Sequence, residues 1–525
     1  MGKSLSLKLT VPTPEEVEDP RTLLDVDVLR ERVEQLALAA PRRAAKQMLE
    51  GLCRLNRHPV EPLHHEELAD LYRQAFHALL DSYCGSVPAE GQVTRKSEGF
   101  LEAMRQLAAE LGFAYKHVIL RRYTGKRRGA GRSALLRALE MLSYQLSFLY
   151  EQHARDNPVL WKEIFQIYRL AEREGVQDQS IKTVGVPAEG DDGITIDMRL
   201  AQILLIRLLD PWRLTSSELW MARRFLESAA ILVRIQSCDA PRVTGPCFLF
   251  SLGQAQLPRA LQHLRVDERA AGCRLIATGR LNQYVRQELD KLSAAGGGLV
   301  ADSRQRLYRL MHQAWSDLPE RRKPRKPARG WVMAAWGLDA VTYFLAGEAS
   351  NDELELESEV ELTEAVGFGC RAPRNFSLQR CRLIDASSLG LRLEAPGDVE
   401  VAPKAGDLLL LHDKDKDTAR LGYVCWLQRH GAQMVRVGVS LLFGRFRAVR
   451  VKPVSLGRGM PGYLPALLVE SQKKDAVGFG LLLGRGAYQG ASEFLVEDGV
   501  RLYRIASREL LDRTAAFDYL DAVAL

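Results

Sequence analysis

A chain of 525 residues is too long for one hydrophobic core, so about two to four domains are expected. Apolar content of 46%, charged content of 26% and a net charge of +7 suit an ordinary globular protein and speak against a general nucleic-acid binder. Eight cysteines without a CxxC pair exclude a disulfide framework or a zinc site of closely repeated ligands.

Residues 1–20 read as an extended N-terminal arm rich in Pro and acid, without the apolar run or cleavage site of a signal peptide. Residues 21–316 form a mainly helical module. Val26, Leu29, Val33 and Leu36 recur at three-to-four spacing, and Met48, Leu49, Leu52 and Leu55 do the same. Further helices are expected at 62–83, 97–112, 130–155 and 157–174, with a break at Asp156-Asn157-Pro158. Phe148, Tyr150, Trp161, Phe165 and Tyr168 mark an aromatic-rich helical hairpin. Helices resume over 198–235, segments 247–252 and 273–278 suggest a small sheet, and a single helix is expected over 279–315. The apolar stretch 200–209 is interrupted by Arg207 and ended by Asp210-Pro211, short of the roughly 20 residues a membrane helix needs. No transmembrane segment is expected, and the chain reads as cytoplasmic.

The composition changes near Leu318. Residues 321–330 hold six basic side chains among Pro324, Pro327 and Gly330, an extended basic linker. Past it the period becomes strand-like, with short apolar runs at 331–336, 381–384, 389–393, 408–411, 421–426 and 435–442. These predict a β-barrel or sandwich over 317–452. Runs at 466–469, 477–483, 494–496 and 502–505 predict a β-rich C-terminal extension over 453–525. The fold class is therefore multidomain α + β. Within an insertion at about 339–370, Glu353, Glu355, Glu357, Glu359 and Glu361 alternate with other residues. That pattern suggests an exposed strand with a negative face, which either discourages sheet pairing or pairs with the basic linker.

Two motifs carry the chemistry. Arg321 and Arg325 stand four apart in the linker with Arg322 as a neighbour, and Arg325 and Arg329 form a second possible register of the same spacing. Guanidinium groups donate paired hydrogen bonds to phosphate and lie flat against aromatic bases. Asp385, Ser387 and Gly390 follow at D-x-S-x-x-G spacing. A carboxylate suits the N–H donors of a guanine edge, a hydroxyl adapts to either role, and Gly390 is expected to supply a turn with φ > 0.

Together these motifs resemble the signature of PilZ domains, receptors for cyclic di-GMP. The resemblance extends to Gly422-Tyr423-Val424-Cys425-Trp426 and Val437-Gly438-Val439, similar to a G-x-V-x-W strand and its V-G-V partner. It covers about 319–450 and implies a PilZ-like barrel. Its ligand residues would be Arg321, Arg322, Arg325, Asp385, Ser387 and Gly390. It further implies a receptor rather than an enzyme, with cyclic di-GMP as ligand and no cofactor. The helical module would engage a protein partner, no nucleic acid is expected, and no residues are assigned to a metal. One PilZ layout of this kind is linked to surface attachment and type IV pili, which would allow recruitment to the cell pole or inner-membrane machinery. The alternative is a helical scaffold or adaptor with a degenerate, non-binding barrel.

Other motifs carry less. Residues 125–133 resemble a phosphate loop, but Arg132-Ser133 stands where the Walker pattern requires Lys-Ser/Thr, and the flanks read as helical. Residues 116–137 are basic without an acid, which reads as a solvated helix connection ahead of an anionic docking surface. His64-His65-Glu66-Glu67 reads as a helix-start cluster rather than a metal site.

Overall fold

The computed structural model describes residues 7–13, 19–37, 39–86, 95–124, 131–181, 193–238, 245–261, 272–294, 299–316, 324–351, 376–397, 403–413, 418–431, 433–454, 462–473, 476–488 and 493–525. It divides into two compact units, one of Met1–Ala295 with Leu307–Pro319, the other of Gly296–Arg306 with Glu320–Leu525.

The first unit is mainly helical: α1 (Val26–Ala37), α2 (Pro41–Arg57), α3 (Pro62–Ser86), α4 (Arg95–Thr124), α5 (Arg132–Glu151), α6 (Pro158–Glu174), α7 (Ile196–Leu208) and α8 (Ser216–Ala229). Its boundaries follow local chemistry. The Asn157 side chain accepts from the Val159 N–H, with Pro158 at the first helical position, and Gly175 closes α6 at φ +67°. Thr215 and Glu218 form a reciprocal capping box on α8. The aromatic hairpin is buried, and Asp156 gathers Tyr150, Trp161 and Arg207 at its turn. The small sheet, in the order β1-β4-β2-β3, comprises β1 (Arg234–Ser237), β2 (Cys247–Ser251), β3 (Gln256–Ala260) and β4 (Cys273–Ala277). Instead of one helix over 279–315 there are two, α9 (Gly279–Ala294) and α10 (Leu299–Trp315), on either side of Gly296-Gly297-Gly298. Consecutive glycines are poor helix formers because they lose the most backbone entropy.

The basic stretch expected to be solvated is partly structural. Lys116 is 1% exposed and pairs with Glu163 at 2.7 Å, while Arg137 pairs with Glu66 at 3.0 Å and Asp70 at 2.7 Å. Burial lowers the Lys116 ammonium pKa, although the Glu163 carboxylate works against that shift. His65 is buried and stacked on His117. Among the described residues no cluster of metal-ligating side chains occurs and no helix is long and apolar enough to cross a membrane.

The second unit carries strands β5 to β17. Its first barrel uses β6 (Trp331–Trp336), β7 (Gln379–Ala386), β8 (Gly390–Pro396), β9 (Leu408–Asp413), β10 (Thr418–His430) and β11 (Met434–Leu441), with β5 (Lys326–Pro327) added beside β7. Antiparallel pairing runs β7-β6-β9-β10-β11-β8, and β8 returns to β7. Inward positions alternate along each strand: Val332, Ala334, Trp336; Leu391, Leu393, Ala395; Val435, Val437, Val439.

The β-rich C-terminal extension is itself a closed barrel, built from β12 (Arg445–Pro453), β13 (Leu464–Lys473), β14 (Ala476–Gly484), β15 (Glu493–Glu497), β16 (Leu502–Arg513) and β17 (Phe517–Ala524). Numbering the strands of each barrel one to six in chain order, both close as one-two-three-six-five-four and back to one. The chain thus repeats one barrel topology. Helix α11 (Leu338–Asn351), unanticipated from the sequence, helps join the two barrels. Ala340 and Val341 pack with Leu408, Leu410 and Leu421 of the first barrel and Leu467, Leu482 and Phe517 of the second. The alternating glutamates 353–361 lie outside the described residues.

Candidate functional site

The site is assembled by strand pairing. Lys326 lies opposite Ala386 and Pro327 opposite Asp385, and the Ala328 N–H donates to Ile384 O at 3.1 Å. Lys326 and Pro327 are therefore a short strand rather than loose linker. This pairing carries Arg325 to the start of the D-x-S-x-x-G turn. Arg325 Nη1 donates to Asp385 Oδ1 at 2.9 Å, joining two motifs 60 residues apart. The other carboxylate oxygen, Asp385 Oδ2, lies 3.0 Å from Arg392 Nη2. Asp385 is 14% exposed and its two partners 25% and 32%. Such a part-buried cluster keeps its charges close without removing them wholly from solvent.

Ser387 belongs to the turn itself. Its N–H donates to Gly390 O at 2.8 Å, and its hydroxyl accepts from the Leu389 N–H at 3.3 Å. The expectation for Gly390 is corrected. Its φ is not among the positive ones, and the requirement for glycine comes from close packing. A Cβ there would lie 2.4 Å from Val439 O on β11. Gly390→Ala should therefore cost about 1–3 kcal/mol of barrel stability by forcing β8 and β11 apart. Urea unfolding measures it, and a neutral variant would refute this role for the glycine.

Arg321 and Arg322 lie outside the described residues. Arg329 is described and exposed, with no ion pair among the described residues, whereas Arg325 belongs to both possible registers. Of the motif residues, Arg325, Asp385, Ser387 and Gly390 are thus together on one rim of the barrel.

Sequence reading passed over Arg392. Its signal was present: it stands two positions after Gly390 on a strand, so it shares the outward face of β8 with Glu394. Register continues the row across the barrel, with Arg392 opposite Gly438 on β11 and Gly438 opposite Trp426 on β10. A Cβ on Gly438 would meet Trp426 Nε1 at 2.0 Å, so the glycine makes room for the indole. One step along, Glu394 bridges Arg382 and Arg436, the latter at 3.0 Å. Burial would raise the Glu394 carboxyl, but hydrogen bonds from Arg436 and Arg382 outweigh it and hold the pKa below the usual value. Trp331 is 51% exposed, with Arg380 Cζ 4.2 Å from its ring centre. Planar cations and indoles suited to stacking therefore line the barrel face around Asp385.

The family comparison falls on the helical module. Residues 27–241 match the family model described as cyclic-di-GMP receptor FimW, N-terminal domain. The chain resembles the FimW type of receptor. A curated relative, the cyclic-di-GMP receptor FimW of Pseudomonas aeruginosa, is 23% identical over 378 residues, covering 69% of this chain. The aligned stretch spans 60% of that relative's own length. The family match rests on residues of the helical module, outside the barrel motifs.

Proposed function

We propose that this protein is a cyclic di-GMP receptor in which a PilZ-like barrel binds the messenger and the helical module passes the signal to a protein partner. The observation that carries the reading is the Arg325–Asp385 contact, which unites the basic linker and the D-x-S-x-x-G turn at 2.9 Å. The match of residues 27–241 to the FimW N-terminal domain supports it independently. The ligand set is Arg321, Arg322, Arg325, Asp385, Ser387 and Gly390, with Arg321 and Arg325 on the phosphates and guanines. The protein is not an enzyme in this reading, and its output lies in surface attachment or control of type IV pili and motility. It would work in the cytoplasm, recruited to the cell pole or inner-membrane machinery.

A ligand that binds only the folded barrel raises its stability by about 2.7 kcal/mol at a hundred times Kd. Cyclic di-GMP in such excess should raise the melting temperature of the full chain, and GMP should not. The same melting temperature with and without the dinucleotide would favour the second reading, an adaptor with a degenerate barrel. One observation speaks for that second reading: both oxygens of Asp385 already meet arginines within the chain.

A further inference from the structure

Asp385 and Arg392 present an acceptor and a donor side by side, and that order matches one base better than any other. An ionised carboxylate has about four lone-pair positions. The contacts from Arg325 and Arg392 use one on each oxygen, so each keeps capacity for a further N–H. Arg392 likewise has donors left over. One Nη is turned to Asp385, and its Nε has no hydrogen-bond partner among the described residues.

The Watson–Crick edge of guanine presents O6, N1–H and N2–H in a row, an acceptor followed by two donors. Asp385 can accept from N1–H and N2–H while the adjacent Arg392 donates to O6 and N7. Adenine puts an N6–H donor where Arg392 needs an acceptor, and the N1 lone pair where Asp385 needs a donor. Both mismatches leave polar groups unpaired in a part-buried site, and such mismatches discriminate more strongly than lost apolar contact. Gly438 lies opposite Arg392 on β11, and the Trp426 indole rests against it. An aromatic surface therefore lies one strand beyond the polar pair.

Resting on the receptor reading above, we propose that Asp385 and Arg392 together read the guanine edge, making Arg392 a specificity-determining residue outside the recognised motifs. Arg325, which reaches Asp385 from the incoming segment, is then left for a phosphate.

The test is Arg392→Lys in the full chain, measured by titration calorimetry with cyclic di-GMP and by competition with cyclic di-AMP. Lysine keeps the charge and loses the planar fork. The expected result is a loss of about tenfold or more for cyclic di-GMP, the worth of one bidentate base contact. That loss should persist at about 0.5 M salt, where long-range charge effects are screened, and preference over cyclic di-AMP should narrow with it. Arg436→Lys, on the same barrel face but paired with Glu394, serves as the control and should bind as the unaltered protein does. Three outcomes would overturn the assignment: Arg392→Lys within twofold of the unaltered protein, a loss that vanishes in salt, or an equal loss in Arg436→Lys. If the unaltered protein itself binds no cyclic di-GMP, the receptor reading fails first and this inference fails with it.

Discussion

Arg325→Ala should weaken cyclic di-GMP binding by tens- to thousands-fold, the effect of about 2–5 kcal/mol when one arm of a hydrogen-bonded charge pair that the ligand covers is removed. Two things are lost together. The guanidinium no longer reaches a phosphate, and Asp385 loses the partner that holds Oδ1 at 2.9 Å. The loss exceeds that of Arg329→Ala, because Arg329 is exposed and has no ion pair among the described residues. Calorimetric titration of the two variants side by side decides it. A larger loss in Arg329→Ala would move the arginine motif to the later register.

Glu140→Ala should destabilise the helical module by about 3–5 kcal/mol, since removing one member of a buried ionic cluster strands the others. Glu140 on α5 is 2% exposed. It meets Arg73 of α3 at 2.6 Å, Arg199 of α7 at 3.3 Å and His77 of α3 at 3.5 Å. Burial alone would raise its carboxyl, but Arg73 and Arg199 outweigh that and hold the pKa well below the ordinary 4.5. A lowered carboxylate stabilises the fold in full above its unfolded pKa and loses that contribution as pH falls through the folded one. The unaltered module should therefore lose stability on strong acidification, and Glu140→Ala should lose less. Denaturant unfolding at neutral and acid pH measures both effects. A cost below about 1 kcal/mol at neutral pH would show that the two arginines find other partners.

The change from helices to strands along the chain was legible because it rests on period and punctuation. Three-to-four spacing at Val26–Leu36 and alternation at Val435–Val439 are direct images of buried faces. The closure of β12–β17 into a second barrel was not legible. Strand pairing at long range depends on register, and nothing in the runs at 466–469 or 502–505 names their partners. Helix α11 was hidden for a related reason: its apolar face is explained only by the two barrels that it touches. Among the candidate site residues, Asp385 and Arg325 stand out by motif, while Arg392 shows only strand alternation after Gly390 until the register puts it opposite Asp385. Gly390 was singled out for the wrong reason. Its cause is the carbonyl of Val439, a contact made by a strand fifty residues further on.

Isothermal titration of the full chain with cyclic di-GMP decides whether the rim formed by Arg325, Asp385 and Arg392 binds that dinucleotide. A saturable heat at micromolar concentrations, abolished by Asp385→Ala, is expected. A flat titration of the unaltered protein, or one that Asp385→Ala leaves unchanged, would overturn the proposal.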